Sequence, residues 1–587
     1  MLTNHQFRVL EYLTEHTCTS QREIAENVGL STGTVNSVFK ILRKSGFVDG
    51  CSITSEGYNA MTPYRVDNAI ILAAGMATRF VPFSYEIPKA LIKVKGEPMI
   101  ERMIQQLRDT GIHEIIVVIG YMMEKFLYLR DKYDVKFVVN NEFAYKNTHS
   151  SIYVARDFLK NTLILCADNY YPHNKFNKYE YRSYYCAVYL PGISYTERSL
   201  VTDAKGLVID THKPSCDEWI MYGHAYWDKE FSSKFKRILE NYYGRMGTDD
   251  MYWETIWAEN LKECPLHIKK CSSEEILEFD NVSELEAYDS DYILNNSTSI
   301  MENICSILYC EPRDVRNFQA INTGLNNRSF VFTCKGRKYV YRHPGRNAEG
   351  YIDREKEAYA QRCARDLGID TSLIYIDKDR GWKISKWIGT TQKFDFSDKK
   401  LVGILAHHLR KLHEANIVTG SQFSYLEEAD KLAEIIKRED YDAYFRIEEW
   451  RRNIIPVYKS ISSDGWQISL CHNDIYEPNL LVQDDEINLI DWEFSGDSDI
   501  GYDICKIFCV LNPEIDEIDE YLKLYYGRST TENEKRHLIG CAAIVYYYWY
   551  VWAIYVSKNG TAVSNYMLAW YDKMVGFLKI YSEMEDV

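Results

Sequence analysis

No two cysteines stand in a C-x-x-C spacing in this 587-residue sequence, although 15 are scattered along it. The nearest approximations, Cys305/Cys310 and Cys505/Cys509, lie in apolar stretches. Their spacing argues against a zinc ribbon or a disulfide framework and for a reducing, cytoplasmic setting. Prolines number only 13 and 46% of residues are hydrophobic, which excludes collagen-like and wholly disordered chains. The opening MLTNHQFRVLEYL lacks the basic-then-apolar order of a signal peptide. The most tempting apolar run, CAAIVYYYWYVWAIYV at 541–556, is short of the roughly 20 residues a bilayer span needs and carries tyrosine hydroxyls. It predicts a buried helix and no membrane insertion. Positive charge is also in deficit: 69 basic against 85 acidic residues, net −16. That excludes a whole-protein grip on nucleic acid. Nucleotide chemistry on such a chain needs local cations or a recruited divalent metal.

Aromatics, by contrast, reach 14%, with 47 tyrosines. Large cores account for most of them, and aromatic faces that bind a cation are the sharper alternative. The length implies about three to five domains. Three blocks emerge, at 1–64, 65–292 and 293–587.

In the first block, Phe7, Leu10 and Leu13 have helical spacing. Ser20 and Glu23 form a capping-box signature, Gly29 makes a turn, and Ser31 opens a third helix over 31–45. FVDGCSITSEGY then predicts a two-stranded wing. This order resembles the winged helix-turn-helix modules of bacterial regulators. The resemblance implies DNA as a partner through the third helix. Five basic against six acidic residues weaken that reading and leave an interaction appendage as the alternative.

The second block alternates strands (AIILAAG, EIIVVIG, VKFVVN, TLILCAD) with helices, which predicts an α/β, mostly parallel sheet with ligands at the strand C-terminal ends. AIILAAGMATRFVPFSYEIPKALIKV (69–94) ends a strand at a glycine turn, followed by Arg79 and by Pro88-Lys89. Amides of a small-residue loop (Leu72, Ala73, Ala74, Gly75) can approach a triphosphate that Arg79 and Lys89 neutralise. The string resembles the nucleotidyltransferase family that makes nucleotide sugars and CDP-alcohols, with a Rossmann-like mixed sheet. Ala77 replaces that family's second glycine; if the position needs positive φ, alanine costs about 1 kcal/mol. The resemblance implies metal-binding roles for Asp168, ending a strand, and Asp280, opening a helix, with Lys213 on the acceptor phosphate. A turn aspartate and an N-cap aspartate are the plain alternatives.

The third block begins helical, turns β-rich over 317–345, and ends helix-rich. LCHNDIYEPNLLVQDDEINLIDWEFSG (470–496) reads H-x-D-x-x-x-x-N, then a strand ending at Asp491. Asp474 suits the attacking hydroxyl's proton, Asn479 and Asp491 suit magnesium on a triphosphate, and His472 is structural. The block resembles the choline/ethanolamine kinase and aminoglycoside phosphotransferase superfamily, an α+β protein-kinase-like fold. The resemblance implies phosphate contacts at Gly324, and Arg342 in place of a strand lysine. Glu355 is its expected partner and Glu357 the competitor. Tyr548, Trp549, Trp552 and Tyr555, at helical spacings of three and four, suit a quaternary ammonium, with Glu493 adding charge.

Together the blocks resemble a fusion of bacterial phosphocholine cytidylyltransferase and choline kinase behind a winged-helix module. That implies phosphorylation of choline by ATP, then coupling of phosphocholine to CTP, with magnesium (Mg2+) at both sites. Ethanolamine or a sugar as acceptor, and a DNA-binding regulator, are the alternatives.

Overall fold

A computed structural model describes all residues except 17–19, 191–197, 214–216, 322–326, 346–352, 512–514, 559–563 and 585–587. The chain divides into two compact units, Met1–Arg313 and Asp314–Val587.

The first unit opens with three helices, Asn4–Glu15, Gln21–Val28 and Thr32–Lys44. Thr3 and Gln6 cap the first reciprocally, while the Ser20 and Ser31 side chains accept the amides of Glu23 and Thr34. Gly29 ends the second in the left-handed region, φ 60°. The wing is shorter than expected. Val48–Asp49 pairs with Ser52–Ile53, but Ser55–Met61 is helical. Thr54 caps that helix, and Gly57 lets it cross the Phe47 carbonyl, where a Cβ would meet the oxygen at 2.2 Å. Leu2, Phe7 and Tyr64 join this module to the α/β part. The Phe7 ring lies 5.2 Å from Tyr64 and 5.3 Å from Tyr181, and the Tyr181 hydroxyl donates to the Leu2 carbonyl.

The α/β part is a nine-stranded mixed sheet. Strand Asn68–Ala73 is central, buried at every residue, and runs parallel to both Ile115–Ile119 and Thr162–Cys166. Ile115–Ile119 pairs in parallel with Lys136–Val139, and Glu218–Trp227 adds antiparallel to Thr162–Cys166. Apolar β-branched runs of this kind suit strands covered on both faces. Residues 293–313 belong to this unit, not to the third block as expected. Helix Ser299–Leu308 buries Ile300, Met301 and Ile304, the Ser299 amide donates to Glu86, and Asn296 exchanges hydrogen bonds with the Lys93 backbone.

The second unit starts with a five-stranded antiparallel sheet in the order 315–321, 327–334, 337–344, 383–386, 373–376. Helix Arg354–Asp366 follows its third strand, and a helical part follows the sheet. The apolar run at 541–556 lies within helix Glu532–Lys558, 27 residues long. By length and composition alone that helix meets the requirement for a membrane span, yet two-thirds of its apolar window is buried within the fold. Cys541 through Tyr548 are all buried in the core of the unit. The buried-helix expectation therefore describes it, over a longer span.

Candidate active sites

In the first unit the parallel pairing sets Leu72 beside Cys166, so the loop after residue 73 and the turn at 167–168 leave the same sheet edge. The Ala167 amide donates to the Leu72 carbonyl at 3.0 Å. Asp168 stands in that turn, two residues beyond its strand, rather than at the strand end. A short antiparallel pair, Asn169–Tyr170 with Leu277–Glu278, then brings in the second carboxylate. Continued by one step, its register sets Asp168 opposite Phe279, next to Asp280. Helix Val282–Tyr288 is capped by Asn281, not Asp280, which leaves the Asp280 carboxylate for other work.

The four residues singled out meet pairwise. Lys89 Nζ lies 3.1 Å from Asp168 Oδ2, and Arg79 Nη2 lies 2.9 Å from Asp280 Oδ1. Lys89 is nearly buried and packs over the Phe80 ring at 5.1 Å. Arg79 is 69% exposed, so its pair contributes at most about 1 kcal/mol and yields cheaply to a phosphate. Ala77 adopts φ 48°, ψ 53°, the left-handed conformation in which alanine is costly. At Gly75 an added Cβ would meet nothing within 4 Å, so the loop is open to a ligand there. Lys213 is exposed on a bend after the edge strand Val208–His212, and none of these contacts reaches it.

Glu254 was not legible in the sequence. It belongs to helix Trp253–Ala258, and burial pushes its carboxyl up to about 7. One oxygen accepts from the Tyr185 hydroxyl at 3.3 Å, the other has no hydrogen-bond partner among the described residues, and Tyr185 stacks on Trp253 at 5.6 Å. Burial raises the Cys166 thiol well above its usual range, and Asp168, Glu254 and Glu278 add to the rise. Three carboxylates thus converge on the end of that strand.

In the second unit Asp503 organises the catalytic loop. Its carboxylate accepts the amides of His472 and Asn473 at 2.7 and 2.9 Å. Burial works against ionised Asp503, but bonds from His413 and the His472 amide hold its carboxyl below the usual range. His472 is fully buried. It accepts the Asp474 amide through Nδ1 and lies 2.9 Å from the Ile490 carbonyl through Nε2, the structural role expected. Asn473 and Asp491 hold φ 63° and 68°, local strain of the kind active sites retain. Asn479 Nδ2 donates to the Asp474 carbonyl and to its Oδ2 at 3.1 Å. Burial pushes the Asp474 carboxyl up to about 7, the negative charges of Asp491 and Glu493 add to this, and Lys506 opposes it. Asp491 Oδ1 is buried with no hydrogen-bond partner among the described residues, 3.8 Å from Arg342 Nη1.

Arg342 is buried, and its partner is Glu357. The two form a bidentate pair, and Arg354 adds to Glu357 at 3.1 Å. Glu355 is exposed and pairs with Lys378. The expectation for Glu355 is thus overturned: Glu357 shares the buried face of helix 354–366 with Ala360, Gln361 and Ala364, and Glu355 points away. Removing one member of a buried pair strands the other charge, at about 3–5 kcal/mol. Glu357→Gln is therefore expected to lower the melting temperature of the protein by several degrees, and Glu355→Gln to leave it within about one degree. Gly324 lies outside the described residues.

The aromatic helix divides. Tyr548 is buried against Tyr425 at 5.5 Å and serves the core, contrary to the ligand role expected. Trp549 and Trp552 are half-buried, 5.6 Å apart, and both adjoin Trp570, at 5.5 and 6.1 Å. Tyr566 extends the group, 5.7 Å from Trp570. Trp549 also touches Phe494, whose carbonyl accepts from Asn473 Nδ2. The cluster therefore adjoins the Asp474 loop. Trp570 and Tyr566 come from the last helix, Ser564–Glu583, and carry no motif.

Comparison with known proteins agrees with this division. Family models match at residues 2–49 (winged helix-turn-helix DNA-binding), 69–176 (MobA-like NTP transferase domain) and 318–559 (choline/ethanolamine kinase). A choline-phosphate cytidylyltransferase of Streptococcus pneumoniae is 34% identical over 216 residues, covering 37% of this chain and 94% of the relative. A 2-aminoethylphosphonate cytidylyltransferase of Lancefieldella rimae is 34% identical over 230 residues, covering 38% and 93%. Protein LicA of Haemophilus influenzae is 23% identical over 259 residues, covering 42% and 75%. Through its middle segment the chain belongs to the cytidylyltransferase family, and the same polypeptide joins that enzyme to a winged helix-turn-helix module and a kinase of the choline/ethanolamine type.

Proposed function

We propose that the second unit phosphorylates choline with ATP and that the first couples the resulting phosphocholine to CTP, giving CDP-choline and pyrophosphate. The observation that carries the acceptor is the Trp549–Trp552–Trp570–Tyr566 cluster beside the Asp474 loop. A quaternary ammonium has no N–H to donate, so aromatic faces and a nearby carboxylate such as Glu493 recognise it best. Trp549→Ala is expected to raise the choline KM about tenfold with a smaller effect on ethanolamine, measured as ADP release. An unchanged choline KM would remove the cluster from the site.

For the kinase step, Asp474 accepts the choline hydroxyl proton, and Asn479 fixes the carboxylate that receives it. Asp491 with Asn479, and Asp168 with Asp280, suit magnesium: hard oxygen donors, one buried and unsatisfied. Bound there, the metal supplies charge neutralisation on the triphosphates. Arg342, held by Glu357, faces the Asp491 carboxylate and keeps it oriented. Since Asp474 must be ionised, the kinase kcat/KM is expected to rise with pH through about 7 and to be lost below it. The linkage to stability has the opposite sense. An unfolded aspartate releases its proton near pH 4 and the folded one near 7, so Asp474 lowers stability as pH rises between them.

For the transferase step, the acceptor's phosphate oxygen is already anionic near pH 7, so no general base is required. Lys89 and Arg79 exchange their carboxylates for the triphosphate and stabilise charge as pyrophosphate leaves. Glu254, half-buried beside Tyr185 and Trp253, suits the ammonium end of the acceptor. Lys213 has only its exposure to support a role at the acceptor phosphate. The similarity to a 2-aminoethylphosphonate cytidylyltransferase makes that phosphonate the competing acceptor, and competition with phosphocholine for CTP decides between them. A secondary role for the N-terminal module, binding DNA, has one support: Asn36, Ser37, Lys40 and Arg43 of the third helix are exposed.

A further inference from the structure

Lys506 is almost buried in the second unit, and its charge is felt by the Asp474 carboxylate. Its residue is 4% exposed, in the short helix Lys506–Cys509. Among the described residues its ammonium makes no hydrogen bond or ion pair, and its nearest recorded neighbours are the rings of Tyr546 and Trp549, at 5.8 and 6.0 Å. At those distances the rings offset little of the cost of burying an ammonium.

The helix is tied to the catalytic loop. Asp503, three residues earlier, bonds the amides of His472 and Asn473, directly before Asp474. Trp549, a member of the acceptor cluster, joins Lys506 to Phe494 and so to Asn473. The Lys506 charge accordingly acts on the Asp474 carboxylate. A largely buried cation that makes no direct ion pair among the described residues, yet acts on Asp474, lies where negative charge must arrive during the reaction.

We propose that the Lys506 ammonium is the counter-charge for the phosphoryl group as it lands on the acceptor oxygen beside Asp474. This rests on reading the second unit as a kinase. The acceptor oxygen bonds to the γ-phosphorus, the bond from that phosphorus to the β-phosphate oxygen breaks, ADP leaves, and the hydroxyl proton passes to Asp474. Lys506 makes and breaks no bond. Its attraction for the phosphoryl oxygens grows as they approach the acceptor, so it acts on the transition state and product more than on bound amine.

The test is Lys506→Met in the full chain, assayed for ADP release with ATP, magnesium and choline, without CTP. Expected are a fall in kcat of about a hundredfold, a choline KM within about threefold, and phosphocholine inhibition weakened by about tenfold. Lys506→Arg should recover much of the rate. Should the methionine variant not fold, Lys506→Gln takes its place. An unchanged kcat, or a change in choline KM alone, would overturn the assignment and make Lys506 a wall of the amine site. Unchanged phosphocholine inhibition would overturn it as well. If the unaltered chain phosphorylates neither choline nor ethanolamine, the acceptor reading fails instead. Lys506 is then judged by slow phosphoryl transfer to water, which the methionine variant must also lower.

Discussion

Asp474→Asn is expected to cut ADP formation with choline by about 10³-fold, while CDP-choline still forms at the unaltered rate from supplied phosphocholine and CTP. The first half follows from burial and contacts. Asp474 is the buried carboxylate of the loop, held by Asn479 and flanked by Asp491. Asparagine keeps the size of the side chain but removes the base. Its amide nitrogen also faces another donor, Asn479 Nδ2, unless it flips. The second half follows from the chain's division, since Asp168, Asp280, Arg79 and Lys89 all lie in Met1–Arg313. Thermal unfolding of the variant separates lost chemistry from lost fold.

The reciprocal change, Asp168→Asn, is expected to leave choline phosphorylation intact and to accumulate phosphocholine, with cytidylyl transfer lowered by about 10³-fold, roughly 4 kcal/mol. Asp168 is one-third exposed and contacts Lys89 Nζ at 3.1 Å. Its loss removes a hard oxygen donor from the proposed metal position and a partner that orients Lys89. Equal loss of both activities in either variant would argue against two independent sites.

Both sites were legible where chemistry is written locally. The strand–glycine–arginine–lysine string at 69–94 and the loop at 470–491 each hold several candidate residues within one short segment, so their spacing and the family resemblance together single them out. What escaped depends on contacts between distant segments. Glu254 reaches the first site from a helix some 85 residues beyond Asp168, and Trp570 and Tyr566 reach the second from the final helix. Tyr548 shares the Trp549 helix, yet a one-residue step turns it by about 100°, into the core. Glu357 was recoverable, because the alanines at 360 and 364 mark its face of the helix and Glu355 falls off it. The boundary near 293 was misplaced because helix Ser299–Leu308 looks like the start of the next domain, while its side chains are buried in the unit before it.

The central claim is that one chain carries out both steps. The direct measurement supplies the purified protein with choline, ATP, CTP and magnesium, omits phosphocholine, and follows products by phosphorus NMR. A transient phosphocholine signal is expected, then CDP-choline with pyrophosphate and ADP, and no CDP-choline when ATP is left out. ADP and phosphocholine accumulating without CDP-choline, whichever nucleotide is supplied, would contradict it.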